Sequence, residues 1–79
     1  MDVQVKLLAT LRRYRPELPP GAAVPLEVPE GTTVREVVAR VGIPDNVPLV
    51  VMVSARVCSL DHVLTAGDTV SLFLPVAGG

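Results

Sequence analysis

Val34, Val37, Val38 and Val41 recur at i, i+3, i+4 and i+7, the spacing of one helix face. Thr33 and Glu36 stand ahead of that stripe at capping-box spacing, and Gly42 follows where a C-terminal cap belongs. The sequence therefore predicts one helix over 34–41. Valine is a mediocre helix former, so the stripe needs another surface to pack on. The rest of the chain supplies a sheet. Val3, Val5 and Leu7 alternate with Asp2, Gln4 and Lys6, which predicts a strand over 2–9 with one buried face. Val24, Leu26 and Val28 alternate again, and their short connection to the first strand implies an antiparallel pair. Leu49–Val53 is a nearly unbroken apolar run, as expected of a strand covered on more of its surface. A turn at Ser54-Ala55-Arg56 leads to a short strand around Val57 and Cys58, and Ala66-Gly67-Asp68 turns the chain into a last strand over 69–74. Between Thr10 and Ala22, Pro16, Pro19, Pro20 and Gly21 leave space for at most one helical turn. The predicted fold is an α+β roll: a mixed sheet of four to five strands, the first and last side by side, with one main helix packed across it.

Seventy-nine residues make one domain, predicted to span 1–79 with 75–79 as a flexible C-terminal tail. A chain of this size buries only ~60–65% of the surface its unfolded form exposes, so a catalytic pocket competes with the core for the same side chains. A self-sufficient enzyme is not expected. With 49% hydrophobic and 19% charged residues and a net charge of -1, the chain is too apolar to be disordered and lacks a nucleic-acid footprint. The single cysteine rules out an intramolecular disulfide and fits a reducing compartment. Neither a basic leader nor a long apolar run occurs, so a cytoplasmic protein with no membrane and no DNA partner is expected.

Ordinary catalytic groups are scarce. Cys58 and His62 lie close in sequence, without a third group placed to orient the base. Asp61 and Asp68 sit beside turns, where aspartate bonds the local backbone. Arg12, Arg13 and Arg15 are basic but lack the interleaved aromatics of an RNA-binding strip. No metal-ligand cluster, phosphate loop or dinucleotide fingerprint is present, so no permanently bound cofactor is expected. Two other features stand out. The chain ends Pro75-Val76-Ala77-Gly78-Gly79 directly after a predicted strand, and two glycines without Cβ atoms pass through slots closed to other residues. Strand parity also places Leu8 and Phe73 on the face meant for solvent, which suggests a partner surface.

With this element order, the Gly67-Asp68 turn and the terminal Gly-Gly, the chain resembles the ubiquitin-like sulfur carriers of the MoaD/ThiS type. The stretch Leu60 to Gly79, LDHVLTAGDTVSLFLPVAGG, is similar to the C-terminal signature of the small subunit of molybdopterin synthase, through Asp61-His62, Leu64, Gly67-Asp68, Val70, Phe73, Pro75-Val76 and Gly78-Gly79. Members often carry two prolines before the tail and Asn-Gly in the penultimate turn, where this chain has Leu74-Pro75 and Ser54-Ala55. The resemblance implies a β-grasp (ubiquitin-like) fold. It implies that a ubiquitin-activating-type enzyme adenylates the Gly79 carboxylate at the expense of ATP. A sulfur donor, such as a cysteine desulfurase or a rhodanese-like protein, then leaves a thiocarboxylate in place of the acyl-adenylate. The large subunit of molybdopterin synthase receives the tail and passes the sulfur to a pterin precursor. Gly79 is then the reacting residue and Gly78 its slender support. Leu8, Leu60 and Phe73 form the docking face, Arg12 a charged rim contact, and Pro75, Val76 and Ala77 the part of the tail a partner grips. Carriers for thiamine synthesis and for tRNA thiolation share the fold and the tail, as do ubiquitin-like protein modifiers.

Overall fold

The computed structural model describes residues 1–19, 21–44 and 46–75. Five strands form one mixed sheet: β1 (Asp2–Leu7), β2 (Ala23–Glu27), β3 (Val50–Val53), β4 (Arg56–Cys58) and β5 (Thr69–Phe73), in the order β2-β1-β5-β3-β4. A 3-10 helix (Ala9–Tyr14) follows β1, and the helix α1 (Val34–Val41) crosses one face of the sheet. This is the β-grasp arrangement. β1 pairs antiparallel with β2, and its other edge runs parallel to β5, so the first strand and the last described strand are neighbours at the centre of the sheet.

Period two assigns the faces. Val3, Val5, Leu7, Val24, Val51, Val53, Val70 and Leu72 turn inward and are buried with the helix stripe Val34, Val37, Val38 and Val41, together with Leu11, Val28, Ile43 and Leu64. Around α1 the local signals all agree. The Thr33 hydroxyl accepts from the Glu36 N–H at 3.4 Å, while the Glu36 carboxylate accepts from the Thr33 N–H at 3.2 Å. Gly42 at φ 103° donates to the Val38 and Ala39 carbonyls, closing the other end in a conformation costly for a side chain. Because the cap satisfies N–H groups that the helix leaves unpaired, Thr33→Ala is expected to lower stability by about 1 kcal/mol. In a domain of this size that is a fall in Tm of roughly 4–8 °C, checked by thermal circular dichroism.

Three expectations need correction. The first strand stops at Leu7 instead of running to residue 9, because Leu11, 1% exposed, anchors the turn that follows beneath the sheet. The segment expected to hold at most one helical turn makes a six-residue 3-10 helix, and the prolines limit only what comes after it. β3 is covered on one face only: Val51 and Val53 are buried, whereas Val50 and Met52 lie half-buried on the face away from α1. The Ser54-Ala55 turn joins β3 to β4 with both residues at positive φ, 53° and 64°. A two-residue hairpin of matching twist requires this, and Asn-Gly would adopt it at lower cost.

Candidate functional site: the outer sheet face and the strand that feeds the tail

β5 is held on both sides, by β1 and by β3, and then continues through Leu74 to Pro75. Leu74 packs against the core and Pro75 is exposed. Val76, Ala77, Gly78 and Gly79, the remainder of the expected tail, lie outside the described residues.

The face opposite α1 is assembled by register. Lys6 stands beside Ser71, which stands beside Met52, which stands beside Val57. One row nearer the tail, Phe73 pairs with Val50, and the Leu8 N–H donates to the Leu72 carbonyl at 3.0 Å, which extends the β1–β5 ladder and sets Leu8 beside Phe73. Leu8 is 38% exposed and Val57 72% exposed. Leu8, Phe73, Val50, Met52 and Val57 therefore form an apolar surface over four strands on the side away from α1.

Of the residues expected on this face, Leu8 and Phe73 are brought together and Leu60 is not. The Leu60 carbonyl accepts from the Arg35 N–H at 2.8 Å, and its half-buried side chain lines a cleft with Val38, Pro44, Val47 and Leu49 on the helix side. The reason is local: β4 ends at Cys58, and the chain then turns toward the N-terminus of α1, so strand parity no longer applies. Val50, Met52 and Val57 join the face without having been anticipated. For Val50 and Met52 the signal was the unbroken apolar run at 49–53; Val57 joins through its pairing with Met52 across the β3–β4 hairpin.

Arg12 lies in the 3-10 helix at the tail end of β1, half-buried, with its Nε buried and without a hydrogen-bond partner. Arg13 stacks on the Tyr14 ring, 5.2 Å from its centroid, and Arg15 pairs with Glu17 at 2.7 Å. That neighbouring guanidinium holds the exposed Glu17 carboxyl below its ordinary range. Two of the three arginines are thus engaged locally instead of forming a free basic strip. Charge is nonetheless polarised: Lys6, Arg12, Arg13 and Arg15 flank the tail end of the sheet, while Asp2 and Asp68 sit at the other, where their carbonyls accept from Gly67 and Gln4.

The remaining candidates are structural. Asp68 accepts from the Thr65 N–H at 2.9 Å, as a turn aspartate does. Asp61 instead pairs with Arg35 across 3.1 Å; both side chains are well exposed, so the pair contributes little. Cys58 and His62 line one open hollow on the β4 edge with no hydrogen bond between them among the described residues. Burial pushes the Cys58 thiol up, a backbone hydrogen bond at Val53 offsets part of this, and Asp68 adds to the rise, which is the opposite of an activated nucleophile. No group of three His, Cys, Asp or Glu suited to a metal ion occurs among the described residues. No described helix is long and apolar enough to cross a membrane.

A β-grasp sheet whose central strand feeds a glycine-ended tail, beside an uncovered apolar face, defines a ubiquitin-like carrier. A family model described as ThiS family matches residues 5–79, and the chain belongs to that family, the MoaD/ThiS-type ubiquitin-like sulfur carriers. Such carriers are not catalysts themselves; they work with an activating enzyme and a partner subunit. Among solved structures the chain is similar to a protein from Pyrococcus furiosus described as molybdopterin converting factor, subunit 1, at 26% identity and a TM-score of 0.74, over 96% of this chain and 99% of that one. It is similar in fold to small archaeal modifier protein 1 of Haloferax volcanii, at 20% identity and a TM-score of 0.73, over 95% of this chain and 98% of that one. It also shares its fold with a ubiquitin of Caldiarchaeum subterraneum, at 18% identity and a TM-score of 0.61, over 100% of this chain and 98% of that one. No curated protein matches the chain.

Proposed function

We infer that the protein is the sulfur carrier of molybdopterin synthesis, acting as the small subunit of a molybdopterin synthase. The observation that carries this reading is family membership over 5–79 joined to the likeness with the Pyrococcus furiosus protein. The Asp61-His62 pair and the Phe73–Val76 segment, both similar to the small-subunit signature, favour the pterin acceptor over a thiazole or a tRNA.

A carboxylate is a poor electrophile, so it has to be given a leaving group. The Gly79 carboxylate attacks the α-phosphate of ATP in the activating enzyme, pyrophosphate departs, and an acyl-adenylate results. Hydrosulfide from a sulfide-releasing donor then attacks the acyl carbon and displaces AMP, leaving the thiocarboxylate; a persulfide-bearing donor displaces AMP to give an acyl disulfide, and a second thiol of that donor attacks the donor's own sulfur, forming a disulfide there and releasing the thiocarboxylate. The apolar face around Leu8, Phe73, Val50, Met52 and Val57 docks first the activating enzyme and then the large subunit. The arginines at the tail end favour a partner with an acidic rim, a contact that sets orientation and rate of encounter. An ATP-dependent step and a single unpaired cysteine both fit a reducing, cytoplasmic setting.

The test is to incubate the full chain with ATP, the molybdenum-pathway activating enzyme and a sulfide source, and to read its intact mass. A gain equal to one sulfur-for-oxygen exchange is expected. An unchanged mass, with the same enzyme active on its own carrier, overturns the molybdopterin assignment.

A further inference from the structure

The chain carries three sulfur atoms, in Met1, Met52 and Cys58, and they differ in what their oxidation would change. Met1 packs against the core, its ammonium donating to the Val28 carbonyl at 2.7 Å. Cys58 is half-buried at the β4 edge, and burial holds its thiol in the protonated form that reacts slowly with oxidants. Met52 alone lies in the apolar surface. Register sets it between Ser71 of β5 and Val57 of β4, with Val50 two residues earlier on the same face and Phe73 diagonal to it. Its side chain is half-buried, so a small solute reaches it while a docked protein covers it. A thioether has no proton to lose, and it reacts with peroxides without prior activation.

We propose that Met52 is an oxidative modification site whose conversion to the sulfoxide by a hydroperoxide closes the outer face of the sheet to docking. The inference rests on the carrier reading above, in which that face docks the activating enzyme. The step balances. The thioether sulfur attacks one peroxide oxygen with its lone pair, the O–O bond breaks, and the other oxygen leaves with the bonding pair. The proton on the transferred oxygen passes to it through water. Sulfur is oxidised by two electrons, and the hydroperoxide is reduced to an alcohol, or to water when it is hydrogen peroxide.

The effect falls on docking and not on folding. A flexible apolar side chain becomes a polar one with a strong acceptor. In the free chain that oxygen stays solvated. Under a partner it must shed its water, and of its two cross-strand neighbours only Ser71 carries a hydrogen-bond donor. An acceptor left short of partners weakens docking roughly 5- to 150-fold. Sulfoxide reductases return the thioether, so the change is reversible. A docked partner covers Met52, so the undocked carrier is the form that responds.

The test treats the full chain with hydrogen peroxide and removes the oxidant with catalase. Sulfur loading by the activating enzyme, with ATP and sulfide, is then measured as the carrier concentration is varied. A gain of one oxygen is expected in the tryptic peptide 41–56, which holds Met52. KM for the carrier should rise roughly 5- to 150-fold with kcat held, and the thermal transition should move by no more than ~4 °C. The two epimer-specific methionine sulfoxide reductases, with dithiothreitol, should restore KM. Met52→Leu, compared with its own untreated form, should not respond to peroxide, whereas Cys58→Ser should respond as the parent chain does. An unoxidised Met52, a sulfoxide that leaves KM where it was, a rise that persists in Met52→Leu, or a melt that collapses on oxidation overturns the proposal. An untreated chain that is never loaded, by an enzyme active on its own carrier, sinks the carrier reading and this inference with it. Untreated and oxidised chains that load alike sink this inference only.

Discussion

Removing Gly79 should leave a folded protein that gains no sulfur. Deletion moves the terminal carboxylate to Gly78, one residue or ~3.5 Å short along the chain. Displacements of ~1 Å from productive geometry already cost ~10²-fold in rate, so the shortened tail presents its carboxylate well out of line with the nucleotide phosphate. The described buried core ends at Leu72, and β5 ends at Phe73, six residues before Gly79, so the thermal transition should match that of the intact chain. The measurement is intact mass after incubation with ATP, activating enzyme and sulfide, alongside a circular dichroism melt. A truncated chain that still exchanges oxygen for sulfur would show that the reacting group is not the Gly79 carboxylate. One more residue after Gly79 should be as damaging as one fewer, since it displaces the carboxylate by the same length in the other direction.

The second large effect is on stability. Leu72 is 0% exposed on β5, between β1 and β3 and beneath α1. Leu72→Ala should cost ~2–5 kcal/mol, the range for truncating a buried leucine where the surroundings cannot collapse into the gap. A domain of 79 residues, at ~0.05–0.15 kcal/mol per residue, holds only ~4–12 kcal/mol in all, so the variant sits near the edge of folding. Ser71→Ala, one residue away on the opposite face, should stay within ~0.5 kcal/mol. Urea unfolding of the two variants reads the difference directly: equal midpoints would mean that Leu72 is not the buried anchor described, and a lower midpoint for Ser71→Ala would mean that the faces of β5 have been assigned the wrong way round.

The helix was legible because its whole specification is local: the Thr33–Glu36 box, four valines in register and Gly42 all fall within ten positions. Strand parity was legible for the same reason, and it placed Leu8 and Phe73 on one face from β1 and β5 alone. The rest depended on pairing across the sheet. Met52 and Val57 become neighbours only through the Ser54-Ala55 turn, whose positive φ values no Asn-Gly announced. Leu60 was put on the docking face by the family resemblance and not by strand parity, and no local signal in the sequence shows that the chain after the short β4 turns toward α1. The 3-10 helix escaped because one buried anchor, Leu11, specifies it, and a single apolar residue has no period.

The parallel pairing of β1 with β5 has a consequence for biosynthesis. The ribosome delivers β1 at the outset and β5 near the end, and until β5 arrives both β1 and β3 lack their central partner. Contacts of such high sequence separation form late, and they expose unpaired strand edges meanwhile. A nascent or truncated chain therefore lacks the finished outer face of the sheet. On the carrier reading proposed above, the reacting carboxylate follows in sequence the very strand that completes the sheet, so an enzyme that recognised both would act only on molecules whose synthesis and folding are already done.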